Sequence, residues 1–133
     1  MNRREADGKM IALSDAEWKI MNALWDDSPK TITELTKVLA DSTGWSKHTI
    51  ITLLKRLEAK DAVYYEEGER AKQYFSNISR NEAIKEETRH FLDKTFKGKL
   101  GLMINTLIEE EDFSEQELDD LYALLEQKRN KKG

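Results

Sequence analysis

Between Gly44 and Lys60 the chain gathers side chains able to contact a phosphate or a base edge, Ser46, Lys47, His48, Thr49, Thr52, Lys55 and Arg56, and Lys60 adds to a local positive charge opposed only by Glu58. Hydroxyls and an imidazole exchange hydrogen bonds with base edges. A branched alkyl group such as Ile51 can meet a thymine methyl, and Lys55 and Arg56 can reach phosphates or guanine. On a helix turning about 100° per residue, Ile50, Leu53, Leu54 and Leu57 make one apolar stripe. His48, Thr52 and Lys55 fall diametrically opposite, flanked by Ile51 and Arg56. Ser46 and Lys47 then stand at the helix N-terminus, where free N–H groups and the dipole attract phosphate. An ordinary solvated amphipathic helix fits this wheel about equally well, so the neighbouring elements must decide.

Helix starts are legible because a Ser/Thr-x-x-Glu capping box precedes an apolar-periodic run four times. Ser14-Asp15-Ala16-Glu17, with Leu13 and Trp18 as a hydrophobic staple, opens a helix carrying Met21, Leu24 and Trp25 until Asp26-Asp27-Ser28-Pro29 stops it. Thr31-Ile32-Thr33-Glu34 opens a second, with Ile32, Leu35, Val38 and Leu39 on one face, ending near Asp41-Ser42-Thr43-Gly44. Ser46 caps the third, which frays at Ala59-Lys60-Asp61. Two β-prone runs follow, Val63-Tyr64-Tyr65 and Gln73-Tyr74-Phe75, around the glycine turn of Glu66–Ala71. They predict a hairpin too small to stand alone, so it must lean on the helices. Tyr64, Tyr65, Tyr74, Phe75, Trp18 and Trp25 read as core aromatics.

The third box, Ser79-Arg80-Asn81-Glu82, opens a fourth helix with Ala83, Ile84, Thr88, Phe91, Leu92 and Phe96 inward, broken at Gly98. A fifth, from about Lys99 to Glu111, carries Leu100, Met103, Ile104, Leu107 and Ile108, a surface broader than one neighbour can bury. Ser114-Glu115-Gln116-Glu117 opens the sixth, with Leu118, Leu121, Tyr122, Leu124 and Leu125 ahead of a solvated Lys/Arg-rich tail.

The order helix, helix, helix, hairpin is that of a winged helix-turn-helix, whose third helix enters the major groove while the hairpin lies along the backbone. The predicted fold is therefore mainly α with a small β-hairpin wing. A winged-helix DNA-binding domain over residues 1–78 precedes a helical dimerisation domain over residues 79–133. From the wing, Arg70 and Lys72 can clamp a phosphate, while Glu66, Glu67 and Glu69 oppose deep insertion. One small winged helix reads a half-site weakly, so a dimer is expected. Pairing of two C-terminal segments would bury Phe91, Phe96, Leu100, Met103, Leu107, Leu121 and Leu125, at about 1.5–3 kcal/mol each.

Other chemistry is poorly supplied. The chain has 133 residues, no cysteine and 2 histidines, which removes disulfides, iron–sulfur clusters, thiolate zinc and cysteine nucleophiles. His48, His90 and Glu109-Glu110-Glu111-Asp112 read as surface residues, and no Ser/His/Asp set or Gly-rich phosphate loop occurs. Neither an enzyme, a cofactor nor a metal is expected. No run approaches the ~18 apolar residues of a membrane span, and MNRREADGK lacks the apolar core of a signal peptide, so the expected compartment is the cytosol. Net charge is −4, the best argument for the alternative function, a winged-helix protein-interaction module. A local cationic patch still binds phosphate, since screening acts over about 8 Å.

These residues resemble those of the penicillinase and methicillin-resistance repressors BlaI and MecI, together with the copper-responsive CopY repressors. The resemblance rests on Leu13-Ser14-Asp15-Ala16-Glu17-Trp18 with Met21 and Leu24-Trp25, and on Trp45-Ser46 with Thr49-Ile50, Thr52-Leu53-Leu54 and Arg56-Leu57. Gly68-Glu69-Arg70 before Tyr74, Glu86-Glu87, Phe91-Leu92-Asp93, Phe96 and Glu111-Asp112-Phe113-Ser114 extend it to about Leu125. It implies a homodimeric repressor that binds inverted repeats related to TACA and TGTA. The family's recognition helix matches at Thr49 and Thr52, whereas Ile51 stands where relatives usually carry Lys or Arg. The Cys-x-Cys pairs of the copper-responsive branch are missing. The Asn-Phe bond that a membrane sensor protease cuts in the other branch corresponds here to Asn105-Thr106.

Overall fold

The computed structural model describes residues 11–132; the N-terminal stretch read as lacking a signal core lies outside the described residues. The elements run α1 (Asp15–Asp26), α2 (Ile32–Thr43), α3 (Lys47–Ala59), β1 (Val63–Glu67), β2 (Lys72–Ser76), α4 (Arg80–Phe96), α5 (Leu100–Glu110) and α6 (Glu115–Lys132). Two compact units meet in sequence at His90 and Phe91, inside α4. The first turns of α4 go with the preceding unit because Ala83 is buried in its core and Glu86 Oε2 accepts the Ile11 N–H at 2.9 Å.

All four capping boxes form. Ser14 Oγ accepts the Glu17 N–H at 3.2 Å and Glu17 Oε1 accepts the Ser14 N–H at 2.7 Å. The pairs Thr31/Glu34, Ser79/Glu82 and Ser114/Glu117 repeat this reciprocal arrangement. Each side-chain cap stabilises its helix by about 1 kcal/mol, satisfying N–H groups that have no partner within the helix. At the other end of α2, Gly44 adopts φ 68° and donates its N–H to Ala40 O at 2.8 Å. That left-handed residue turns the chain directly into α3.

The first unit's core is made by Ile20, Met21, Leu24, Leu35, Leu39, Ile50, Leu53, Leu54, Leu57, Val63 and Tyr74, with Trp18, Trp25 and Trp45 half-buried against it. β1 and β2 are antiparallel, with Tyr65 opposite Tyr74 and Val63 opposite Ser76. Lys30 exchanges two backbone hydrogen bonds with Tyr74, of 3.1 and 2.8 Å, which seats the wing on the α1–α2 connection.

Several expectations are corrected here. Val38 is 54% exposed, because α2 meets α1 and α3 along one narrow side that takes only Leu35 and Leu39 fully. Tyr64 and Tyr65 are also exposed. Tyr65 shares the side of the buried Tyr74, ring centroids 5.7 Å apart, but is only partly covered there. Successive strand residues face opposite sides, and a two-stranded wing is backed on one side only, which leaves Tyr64 on the open side. Tyr64 therefore stacks on Phe75 across the outer face, ring centroids 5.1 Å apart, and only Tyr74 is a true core aromatic of the four. On α4, Ala83 and Leu92 are buried, but Ile84, Thr88 and Phe91 are exposed. The basic C-terminal stretch read as a tail continues α6 as helix to Lys132.

In the second unit the α4–α5 break falls at Gly98, φ 80°, whose N–H reaches Leu92 O at 3.1 Å. No described residue of α5 or α6 is buried. No helix among the described residues is long and apolar enough to cross a membrane.

Candidate nucleic-acid interface

The seat of α3 is apolar and deep: Ile50 and Leu57 are completely buried, Leu53 and Leu54 nearly so. The opposite face is open, with Lys47, His48, Lys55 and Arg56 exposed and Thr49, Ile51 and Thr52 half-buried. Ser46 caps the helix, its Oγ accepting the Thr49 N–H at 3.3 Å and lying 3.4 Å from the Thr49 hydroxyl. Thr52 Oγ1 donates back to His48 O at 3.0 Å, which leaves its oxygen lone pairs free to accept. The helix thus presents hydroxyls, an imidazole and three cations outward, the arrangement expected from the sequence.

Lys60 stands apart from that set. Its ammonium turns inward, donating to Glu17 Oε1 at 2.5 Å and to Ala12 O at 2.7 Å. Glu17 is 1% exposed, and its Oε2 is buried without a hydrogen-bond partner. Burial pushes this carboxyl's pKa up, but the Lys60 ammonium and the Ser14 N–H outweigh burial and hold it below the ordinary value of 4.5. No local spacing reveals a pair separated by 43 positions, and the sequence counts Lys60 only in the local positive charge of the Gly44–Lys60 segment. A second missed cluster joins Arg80 to Asp26 at 2.9 Å and lays its guanidinium 5.5 Å from the Trp25 ring. There Trp25 Nε1 donates to Ile78 O at 2.9 Å.

α3 packs against β1, which anchors the wing to it. Gly68 N–H donates to Ala71 O at 3.0 Å to close the turn, and a Cβ at Gly68 would lie 2.5 Å from that oxygen, so only glycine fits. Arg70 is exposed at this turn. Lys72 is exposed as well, its ammonium 4.2 Å over the Tyr65 ring, and interaction with Tyr65 is the first cause of its raised pKa. It stays a full cation at neutral pH.

In the second unit Phe91, Leu100, Leu107, Leu121 and Leu125 are exposed, and Phe96 and Met103 are half-buried. Phe91 and Phe96 pack edge to face at 5.8 Å. Asn105 and Thr106 lie within α5, with Asn105 Nδ2 donating to Glu109 Oε1 at 3.2 Å and Thr106 Oγ1 to Leu102 O at 2.9 Å. His90 is exposed on α4.

Comparison with known proteins follows the same outline. A family model described as penicillinase repressor matches residues 13–127. The penicillinase repressor of Bacillus licheniformis is 32% identical over 124 residues, which cover 93% of this chain and 97% of that protein. The methicillin resistance regulatory protein MecI of Mammaliicoccus sciuri is 27% identical over 122 residues, covering 92% and 99%. The solution structure of the DNA binding domain of the repressor BlaI is 34% identical with a TM-score of 0.51, covering 56% of this chain and 90% of that one. With the match running from the segment before α1 into α6, the chain belongs to the penicillinase repressor family, a family of repressors and not of enzymes.

Proposed function

We propose that this protein is a cytoplasmic, homodimeric transcriptional repressor that binds TACA/TGTA-like inverted repeats in promoters and prevents transcription by occupying them. The observation that carries this is α3 itself, seated by four buried aliphatic side chains and open along a face of hydroxyls and cations. The likeness of this chain, over 56% of its length, to the DNA binding domain of BlaI supports the same reading. His48, Thr49, Ile51 and Thr52 are assigned to base edges. Lys47, Lys55 and Arg56, with Arg70 and Lys72 of the wing, are assigned to phosphates, which fix register without carrying sequence.

Dimerisation is assigned to the second unit, whose α5 and α6 bury none of their described residues. A linked dimer captures its second half-site intramolecularly, at an effective concentration that reaches about mM for short linkers. Losing that linkage is the assigned route of induction. Cleavage between Asn105 and Thr106 by a sensor protease would sever α5, and because that bond lies inside a helix, local unwinding must precede it.

The deciding experiment measures affinity for a duplex carrying a TACA/TGTA inverted repeat and for a shuffled duplex, over a salt series. The expected result is clear discrimination and a loss on the order of 10³-fold between about 50 and 200 mM salt, as for a protein neutralising about six phosphates. Equal binding of both duplexes, or affinity that salt leaves flat, refutes the proposal.

A further inference from the structure

The ion pair Glu17–Lys60, a buried carboxylate held by a partly exposed ammonium, stands at the end of α3 remote from its N-terminal turn. Lys60 is the C-cap of α3, its own N–H donating to Arg56 O at 3.1 Å, and its ammonium bonds both Glu17 and Ala12 O. Next to Ala12, the Ile11 N–H is held by Glu86 of α4. Directional, charge-assisted bonds therefore converge where α3 ends and α1 begins. As a source of stability such a pair is weak: desolvating the carboxylate costs several kcal/mol, and apolar replacements of buried pairs are often neutral or stabilising. What an ion pair adds is direction. The stripe Ile50, Leu53, Leu54 and Leu57 is apolar, and apolar packing constrains volume more tightly than it constrains small slides and tilts. A helix of 13 residues is about 20 Å long. A tilt of about 10° about its C-terminal end then carries His48 and Thr49 some 3 Å sideways. Hydrogen bonds to base edges need donor–acceptor distances of about 2.7–3.2 Å, so such a tilt abolishes them.

We infer that Glu17 and Lys60 are positioning residues for DNA reading: the pair locks the far end of α3, so that its first turns meet base edges in one orientation. This rests on the DNA-binding function proposed above. The test uses the full chain with Glu17→Gln and Lys60→Met combined. Removing both charges together avoids stranding a buried carboxylate, and glutamine keeps an acceptor for the Ser14 N–H. The parent, the double variant and Lys60→Arg are compared on the inverted-repeat duplex and the shuffled duplex, with thermal unfolding of each protein.

The expected double variant unfolds at or above the parent's midpoint and binds the shuffled duplex equally well. It loses about tenfold on the inverted repeat, since one misplaced base contact already costs about that much. Lys60→Arg, whose guanidinium can again reach Glu17 and Ala12 O, retains the parent's ratio of specific to random affinity. Parent-like discrimination by the double variant overturns the inference, and so does discrimination lost only together with the folded state, since the pair would then be a stability element. A parent that fails to discriminate at all overturns the proposed function itself, and the inference with it.

Discussion

Thr52 and Lys55 lie about one turn apart on the open face of α3, yet their removal must read out differently. Thr52 offers an oxygen that can accept from a base edge, so Thr52→Ala should cost about 1–3 kcal/mol on the inverted repeat and almost nothing on random duplex. Lys55 offers a point charge, so Lys55→Ala should weaken every duplex alike and lower the salt slope by about one. If both variants bind as the parent does, the wrong face of α3 has been assigned. Glu17 makes a separate, pH-dependent contribution. Its pKa in the folded chain lies below 4.5, so the stability it supplies is complete above that value and fades as the pH falls through the folded-state pKa. Melting temperatures measured from neutral pH downward should therefore show the parent converging on Glu17→Gln below about pH 4.5; a gap that stays constant there would contradict the charged pair. None of this pair was legible from the sequence, because a capping-box glutamate announces its local partner Ser14 and says nothing about a lysine at the end of another helix.

Elements were far easier to read than burial. Four capping boxes located the starts of α1, α2, α4 and α6, because that chemistry is local and complete within four residues. The apolar stripe of α3 also transferred unchanged, since its 3.6-residue period belongs to one helix. Val38, Tyr64 and Tyr65 did not transfer: whether an apolar side chain is covered depends on how many neighbours surround its element, and periodicity cannot count neighbours. The basic end of α6 failed for a related reason, as Lys and Arg are good helix formers and composition alone does not end a helix. The turn between α2 and α3 gives the sharpest test at this scale. Gly44 has φ 68°, and a Cβ built there would find nothing within 4 Å. Gly44→Ala therefore introduces no clash, and its whole effect is the left-handed backbone penalty of about 1–2 kcal/mol. In a unit this small that should lower the unfolding midpoint by about 4–8 °C per kcal/mol. A neutral substitution would mean that the turn does not hold the left-handed conformation in solution.

At the scale of the molecule, the two units differ in what they have covered. The first buries the aliphatic side chains of its core, such as Leu24, Leu35, Ile50 and Leu57, to within a few per cent, whereas Leu100 is 56% exposed and Leu125 67% on helices none of whose described residues is buried. A helix of 11 residues such as α5 is marginal in water without packing. A second copy of the chain is the proposed cover, and mass action makes that testable: the melting temperature of a dimer rises with protein concentration, that of a monomer does not. Leu107→Glu combined with Leu121→Glu places carboxylates on both apolar faces without touching the first unit. Sedimentation should then give a monomer. Affinity for the inverted repeat should fall by about 10²–10⁴-fold as the second half-site ceases to be intramolecular, while affinity for an isolated half-site stays at the parent's value. Those two measurements separate linkage from contact. A variant that becomes monomeric but keeps its full affinity would show that the first unit reads its operator alone, and severing α5 could not then relieve repression.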